Sequence, residues 1–255
     1  MGVMRLSLRE VCLRFGGVQA LDSVSFDVEP GSVHAVIGPN GAGKSSCFNA
    51  ISGLYAVAGS IRLGDRELTG LPPHTIAGLG VARAFQNIAL GGADTVLDNL
   101  MVARHHLTRA GFAATALNLR RVRREESRHR RRVAEIAEFT GLADELHRPV
   151  AELPYGVRKR VEFARALAAE PRVLLLDEPV AGMTHHEKAA TVALIRRTRE
   201  SLGVSVVLVE HDMPLVMGLA DRITVLDFGR VIADGPPDHV RTHPDVLRSY
   251  LGEHS

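Results

Sequence analysis

Tryptophan is absent from this 255-residue chain, aromatic residues make up 4 % of it, and there are two cysteines. With so few rings, aliphatic side chains must fill the core. The 45 % hydrophobic content supplies enough of them for one large α/β core or two closely joined lobes. Cys12 and Cys47 stand far apart and match no metal-ligand spacing, so a reduced, cytoplasmic protein is expected. No apolar stretch approaches the roughly 20 residues that span a bilayer. Met1 to Arg14 alternates charged and apolar residues without a continuous signal-type core. The expectation is a protein neither secreted nor integral, for which any membrane role needs a partner. A formal charge of +2 is too weak to argue for nucleic acid by itself.

What is present is a rhythm of strands and helices, interrupted once. Leu6, Leu8, Val11 and Leu13 alternate as a strand does, Val24 to Val28 forms a second strand and Val33 to Ile37 a third. Ser45 to Ile51 reads as a helix, and Ile61 to Leu63 as a short strand before a Gly64-Asp65 turn. From about Val96 to Ala169 the periodicity is helical, with Val133, Ile136, Ala137 and Thr140 on one face. Beyond Pro171 the strands return at Val173–Leu176, Ser205–Val209 and Ile223–Leu226, apolar enough for a parallel sheet. Thr184-His185-His186-Glu187 has the form of a capping box, opening a helix to about Leu202. The fold class expected is α/β with a mixed β core and a helical insertion lobe. Residues 1–255 form one domain, its core lobe at about 1–92 and 168–255 and its helical lobe at about 93–167.

The run Gly38-Pro39-Asn40-Gly41-Ala42-Gly43-Lys44-Ser45 reads G-x-x-x-x-G-K-S and follows the third strand. The glycines let backbone N–H groups face phosphates, Lys44 adds a point charge and the Ser45 hydroxyl suits Mg²⁺. The start of the following helix, Ser46 included, favours the anion. A nucleoside triphosphate is the ligand this context requires. Downstream, Val173–Leu176 delivers Asp177-Glu178 at a strand's C-terminal end. Asp177 suits the Mg²⁺ shell, and Glu178 is placed as the general base for an attacking water. Val207-Leu208-Val209 ends at Glu210-His211-Asp212, where His211 has the chemistry to donate to a γ-phosphate. Gln86, after Ala82-Arg83-Ala84-Phe85, is a further ligand for Mg²⁺ or the lytic water.

Together these residues resemble the ATP-binding cassette (ABC) family of P-loop NTPases, nearly end to end. Gly38–Ser45 is similar to its Walker A loop, Val173–Glu178 to Walker B with the catalytic glutamate, Gln86 to the Q-loop glutamine and His211 to the switch histidine. The resemblance implies that Phe15, with Val18 in the same Phe15–Leu21 segment, lies against adenine; stacking of this kind contributes of the order of 1 kcal/mol. Leu153-Pro154-Tyr155-Gly156 takes the place of the signature segment, which in this family completes the ATP site of a second subunit. Within the family, Ala181-Gly182-Met183, Glu210–Met213, Val225–Gly229 and the tail from Pro244 to Gly252 resemble the longer ATPase subunit of branched-chain amino acid importers. Urea or amide uptake ATPases and lipopolysaccharide export ATPases are similar too.

The signature departs from the usual L-S-G-G-Q, with Pro154 at the serine and Val157 at the glutamine. Proline offers neither hydroxyl nor N–H. The amides of Tyr155 and Gly156 and the positive end of the following helix remain for phosphate. One missing neutral hydrogen bond costs roughly 1 kcal/mol, about tenfold at most in rate, so ATP hydrolysis is still expected. Arg120 to Arg132 holds eight arginines against Glu125 and Glu126. It reads as the solvated face of an insertion helix or as a basic surface toward phospholipid or an acidic partner. His105-His106 and His185-His186 point apart on a helix and are given no metal role.

The resemblance implies ATP and Mg²⁺ as cofactors and a peripheral position on the cytoplasmic face of the cell membrane. The partners it implies are integral-membrane permease subunits, a second ABC ATPase subunit (a copy or a sister chain) and, indirectly, a periplasmic or extracellular substrate-binding protein. Nucleic acid is not among them. The rival is a soluble ABC ATPase acting on nucleic acid or ribosomes, whose usual paired cassettes or coiled-coil arms are missing here. A non-hydrolysing switch is a second rival, motivated by Pro154 and Val157.

Overall fold

The structure, a computed structural model, describes residues 4–84, 90–107 and 120–251. Its chain divides into two compact units, Met1–Gln86 with Arg172–Ser255, and Asn87–Pro171.

In the first unit, β1 (Leu6–Phe15) and β2 (Val18–Val28) form an antiparallel hairpin that turns at Gly16 and Gly17. The second strand is longer than its apolar alternation suggested, because the tight turn pairs Val18 directly with Phe15. With β4 (Ala58–Leu63) and β5 (Arg66–Glu67) they make a four-stranded sheet ordered β2-β1-β4-β5. A six-stranded sheet is ordered β10-β9-β3-β8-β7-β6. Its members are β3 (Val33–Ile37), β6 (Val81–Ala84), β7 (Val173–Asp177), β8 (Ser205–Val209), β9 (Arg222–Asp227) and β10 (Arg230–Gly235). Neighbours β9, β3, β8, β7 and β6 run parallel, and only β10 returns antiparallel. Every residue of β3, β7 and β8 is buried, as their largely aliphatic runs require of strands covered on both faces.

Between the sheets lies α1 (Lys44–Ile51), whose Cys47, Phe48 and Ile51 belong to one core cluster with Leu6, Leu8, Val36, Leu175 and Val207. Burial pushes the Cys47 thiol up to about 12, so it behaves as a small hydrophobe. The short α2 (Pro73–Gly78) precedes β6. Later in this unit come α6 (His185–Leu202), α7 (Met213–Leu219), α8 (Pro237–Thr242) and α9 (Pro244–Leu251). The capping box before α6 forms as read: Thr184 Oγ1 accepts from the Glu187 amide, and the Thr184 amide donates to Glu187 at 2.9 Å.

The second unit is helical in its described residues, with α3 (Val96–Ala103), α4 (Arg120–Thr140) and α5 (Tyr155–Ala168). Its interior is tied by Arg104, which is 5 % exposed and donates to His129 Nδ1, the Ala168 carbonyl and Glu170. Desolvated, and beside that guanidinium, His129 is held below the usual imidazole range.

Candidate functional site

The parallel strands set one edge of the six-stranded sheet. Val36 on β3 lies opposite Val209 on β8, which lies opposite Asp177 on β7. Two strand spacings therefore put Asp177 roughly 10 Å from β3, at the edge where Gly38–Ser45 leaves the sheet. Strand order, not proximity in sequence, gathers these segments.

The phosphate loop is held from behind. Gly43 adopts a left-handed φ of 102°, and a Cβ there would come within 2.6 Å of the Ala20 carbonyl oxygen. Glycine is therefore required where the loop meets β2. Gly229, in the β9–β10 turn, donates its amide to the Ala42 carbonyl at 3.0 Å and accepts from the Asp22 amide at 2.8 Å. Lys44 Nζ donates to the carbonyls of Gly38 and Pro39, each at 2.7 Å, and so lies curled over the loop. Among the described residues no side-chain hydrogen bond caps α1, and no acidic residue occupies its first turn, so the positive end of the helix favours an anion. The Ser45 side chain is exposed there. A cavity of about 540 Å³ beside Asn40 and Gly41 is lined on its other side by Phe228 and Arg248. Neither Lys44 nor Asp177 lines it.

Across the edge, Asp177 is 8 % exposed and its Oδ2 accepts from Arg83 at 2.6 Å. Glu178 turns out of the strand with a left-handed φ of 50°, while its amide still bonds the Val209 carbonyl at 2.9 Å. A non-glycine residue in that region persists only where its surroundings over-determine it, and here it lifts the carboxylate out of the sheet, half-exposed. His211 follows β8, with Nδ1 4.0 Å from Glu178 Oε1 and a side chain 71 % exposed. Behind them lies Glu210, buried at 1 % exposure. Its Oε1 accepts from the Val180 amide at 3.1 Å and its Oε2 from the amides of His211 and Asp212 at 3.0 and 3.4 Å. Glu210 thus ties the turn after Glu178 to the turn that carries His211. Asp212 caps α7 through the Leu215 amide and pairs with Lys188 at 2.8 Å, a hydrogen bond that holds its carboxyl below the usual range.

Phe15 and Val18 sit at the tip of the β1–β2 hairpin, 46 % and 67 % exposed, and Phe15 meets the Tyr55 ring edge-on at 5.1 Å. An unburied aromatic beside the phosphate-loop sheet leaves a face for a base. Tyr155 and Gly156 open α5 in the second unit, where Pro154 stands at the cap without a side-chain hydrogen bond. Gln86 lies outside the described residues. Three residues escaped the sequence reading: Arg83, Asn49 and Glu210. Arg83 left a trace, being the one charge in the four-residue strand Val81–Ala84. Glu210 looked like any polar residue at a strand end.

These features define a nucleotide-binding cassette, and the chain belongs to the ABC transporter family, whose model matches residues 21–181. It is an ATP-binding, ATP-hydrolysing subunit of that class. Residues 230–255 match a further family described as branched-chain amino acid ATP-binding cassette transporter. The chain is 40 % identical to the high-affinity branched-chain amino acid transport ATP-binding protein LivG of Escherichia coli K12 over 249 residues, 97 % of this chain and 98 % of that one. It is 41 % identical over the same span to the corresponding protein BraF of Pseudomonas aeruginosa, again covering 97 % and 98 %. Among solved structures, the ADP conformation of an ATP-binding cassette of an ABC transporter superposes with a TM-score of 0.84 at 28 % identity, covering 98 % of this chain and 100 % of the other.

Proposed function

We propose that this chain energises a membrane importer of branched-chain amino acids by binding and hydrolysing ATP on the cytoplasmic face of the membrane. The observation that carries the reading is the convergence on one sheet edge of the Lys44–Ser45 loop, Asp177, Glu178 and His211, with His211 4.0 Å from Glu178. The solute rests on the names of the relatives.

Each residue has a task in this reading. Lys44 exchanges the Gly38 and Pro39 carbonyls for the β- and γ-phosphates, and the first-turn amides of α1 complete the cradle. Phe15 and Val18 support the adenine. The exposed Ser45 hydroxyl and the Asp177 carboxylate at the sheet edge fit Mg²⁺, an ion that takes few protein ligands and fills its shell with phosphate oxygens and water. Bound there, Mg²⁺ supplies positive charge to the phosphates. Gln86 adds a ligand for the ion or the lytic water. Glu178 accepts a proton from water as the water oxygen attacks the γ-phosphorus and the bond to the bridging oxygen breaks, giving ADP and phosphate. His211 donates to the γ-phosphate, and Glu210 holds it in place through its backbone.

The site is completed by a second ATPase subunit, whose counterparts of Tyr155 and Gly156 present their amides to the phosphate. Nucleotide-driven closure of the pair is transmitted to the permease only if the two permease states bind the pair with different free energies. Affinity purification of the membrane complex tests this. Co-purification of permease chains and a second cassette, with leucine uptake in proteoliposomes that depends on ATP, is expected. A chain recovered without membrane partners, or bound to ribosomes, contradicts it.

A further inference from the structure

Arg83 is absorbed by none of the roles above, yet it is held at two points of the site. Its guanidinium donates through Nη1 to Asn49 Oδ1 and through Nη2 to Asp177 Oδ2, both at 2.6 Å. It lies over the Phe48 ring at 5.7 Å, and the side chains of Arg83 and Asp177 are only 12 % and 11 % exposed. Its Nε is buried without a partner among the described residues. Phe48 and Asn49 belong to α1, the helix that begins at Lys44 and Ser45. One arginine therefore spans from the phosphate-loop helix to the carboxylate assigned to Mg²⁺.

A carboxylate this buried is costly without a positive neighbour. We infer that Arg83 is a resident counter-charge for Asp177: it neutralises and orients the carboxylate through Oδ2, leaves Oδ1 to the metal, and so restrains the affinity of the site for Mg²⁺. An arriving dication shares its carboxylate with a fixed guanidinium a few ångströms away, and the repulsion weakens its binding. The planar fork, anchored to Asn49, keeps that opposing charge from swinging aside. Metal occupancy is thereby linked to the position of α1. The inference rests on the nucleotide and Mg²⁺ assignment above and adds a positioning residue to it.

The test is the affinity of the full chain for a fluorescent ADP analogue, measured by titration in EDTA and over a range of Mg²⁺ concentrations. In Arg83→Gln, the Mg²⁺ concentration for half-maximal tightening should fall about tenfold, while affinity in EDTA stays within about twofold. Arg83→Lys keeps the charge but loses the fork that fixes it between Asn49 and Asp177, so its Mg²⁺ dependence should lie between those of wild type and Arg83→Gln. Equal changes with and without Mg²⁺, a weaker Mg²⁺ response in Arg83→Gln, or a shift as large in Arg83→Lys would overturn the inference. Should Arg83→Gln fail to fold, the doubly neutral Arg83→Gln/Asp177→Asn chain decides. Recovery of folding supports charge balance between the two, and continued failure refutes it. A wild-type chain that binds no nucleotide at all fails the underlying reading instead, which keeps the two failures distinct.

Discussion

The edge of the six-stranded sheet and the arginine-rich helix α4 both concentrate charge, but by opposite means. At the edge, fully buried strands end in Asp177, Glu210 and the turns after them, and each carboxylate is held by fixed donors: Arg83 for Asp177, three backbone amides for Glu210. On α4, the charges are answered mostly by neighbours one turn away, with Arg132 also reaching Glu170 at 3.2 Å. Arg130 pairs with Glu126 at 3.0 Å with both side chains about half exposed, and Arg132 pairs with Glu135. The buried side of that helix is carried by Val133, Ile136 and Ala137, with His129 taken up by Arg104. The comparison teaches where charge is specified by the core and where it is only solvated. Desolvated groups tolerate one arrangement, whereas exposed pairs exchange partners at little cost.

Three substitutions and conditions probe that difference, in decreasing order of effect. Glu210→Ala leaves the amides of Val180, His211 and Asp212 without their acceptor, so it should cost about 3 kcal/mol in chemical denaturation and cut ATP turnover by displacing His211. A midpoint unchanged from wild type would show that this buried carboxylate supports nothing.

Acid should come next, through His34. The imidazole is fully buried, stacks on Phe26 at 5.1 Å and meets Thr224 Oγ1 at 2.7 Å. The Thr224 hydroxyl donates to Asp234 at 2.6 Å, so it accepts from His34 Nε2–H, while the buried Nδ1 has no partner among the described residues. Burial brings the ring down to about 4 from 6.5 against the pull of Asp234 and Asp27, with Arg222 acting in the same direction as burial. Between those two values the unfolded chain binds the extra proton and the folded chain does not. Stability is therefore complete above pH 6.5 and is lost as pH falls toward 4, with a slope up to about 1.4 kcal/mol per pH unit from this group. Denaturation midpoints from pH 7 to pH 4.5 should show that slope, and His34→Gln should flatten it.

The smallest effect belongs to α4, where Arg130→Ala should change stability by less than about 0.5 kcal/mol. A larger loss would mean that the arginine face is a packed surface after all.

Much of this was legible in the residues. The buried strands Val33–Ile37, Val173–Asp177 and Ser205–Val209 announce themselves because a strand covered on both faces is largely apolar; their polar members His34, Asp177 and Ser205 are hydrogen-bonded. The α6 start was equally plain, because Thr184 and Glu187 satisfy each other locally. The hairpin between β9 and β10 was not, since Phe228 adopts φ 42° beside Gly229 where Asn or Gly is usual, and β10 mixes charge with apolar residues. Of the site, residues that would face a ligand could be read from motif spacing. The supporting residues could not: Arg83 and Asn49 are 34 positions apart, and Arg83 and Asp177 94. Only the strand order that brings β6 beside β7 makes them neighbours.

The most direct test of the catalytic assignment is single-turnover hydrolysis by the assembled transporter carrying Glu178→Gln in this chain and in any equivalent partner site. The variant should bind Mg²⁺ and ATP with near wild-type affinity while phosphate release falls by at least about a hundredfold. Undiminished phosphate release from that complex would remove Glu178 from its role at the attacking water.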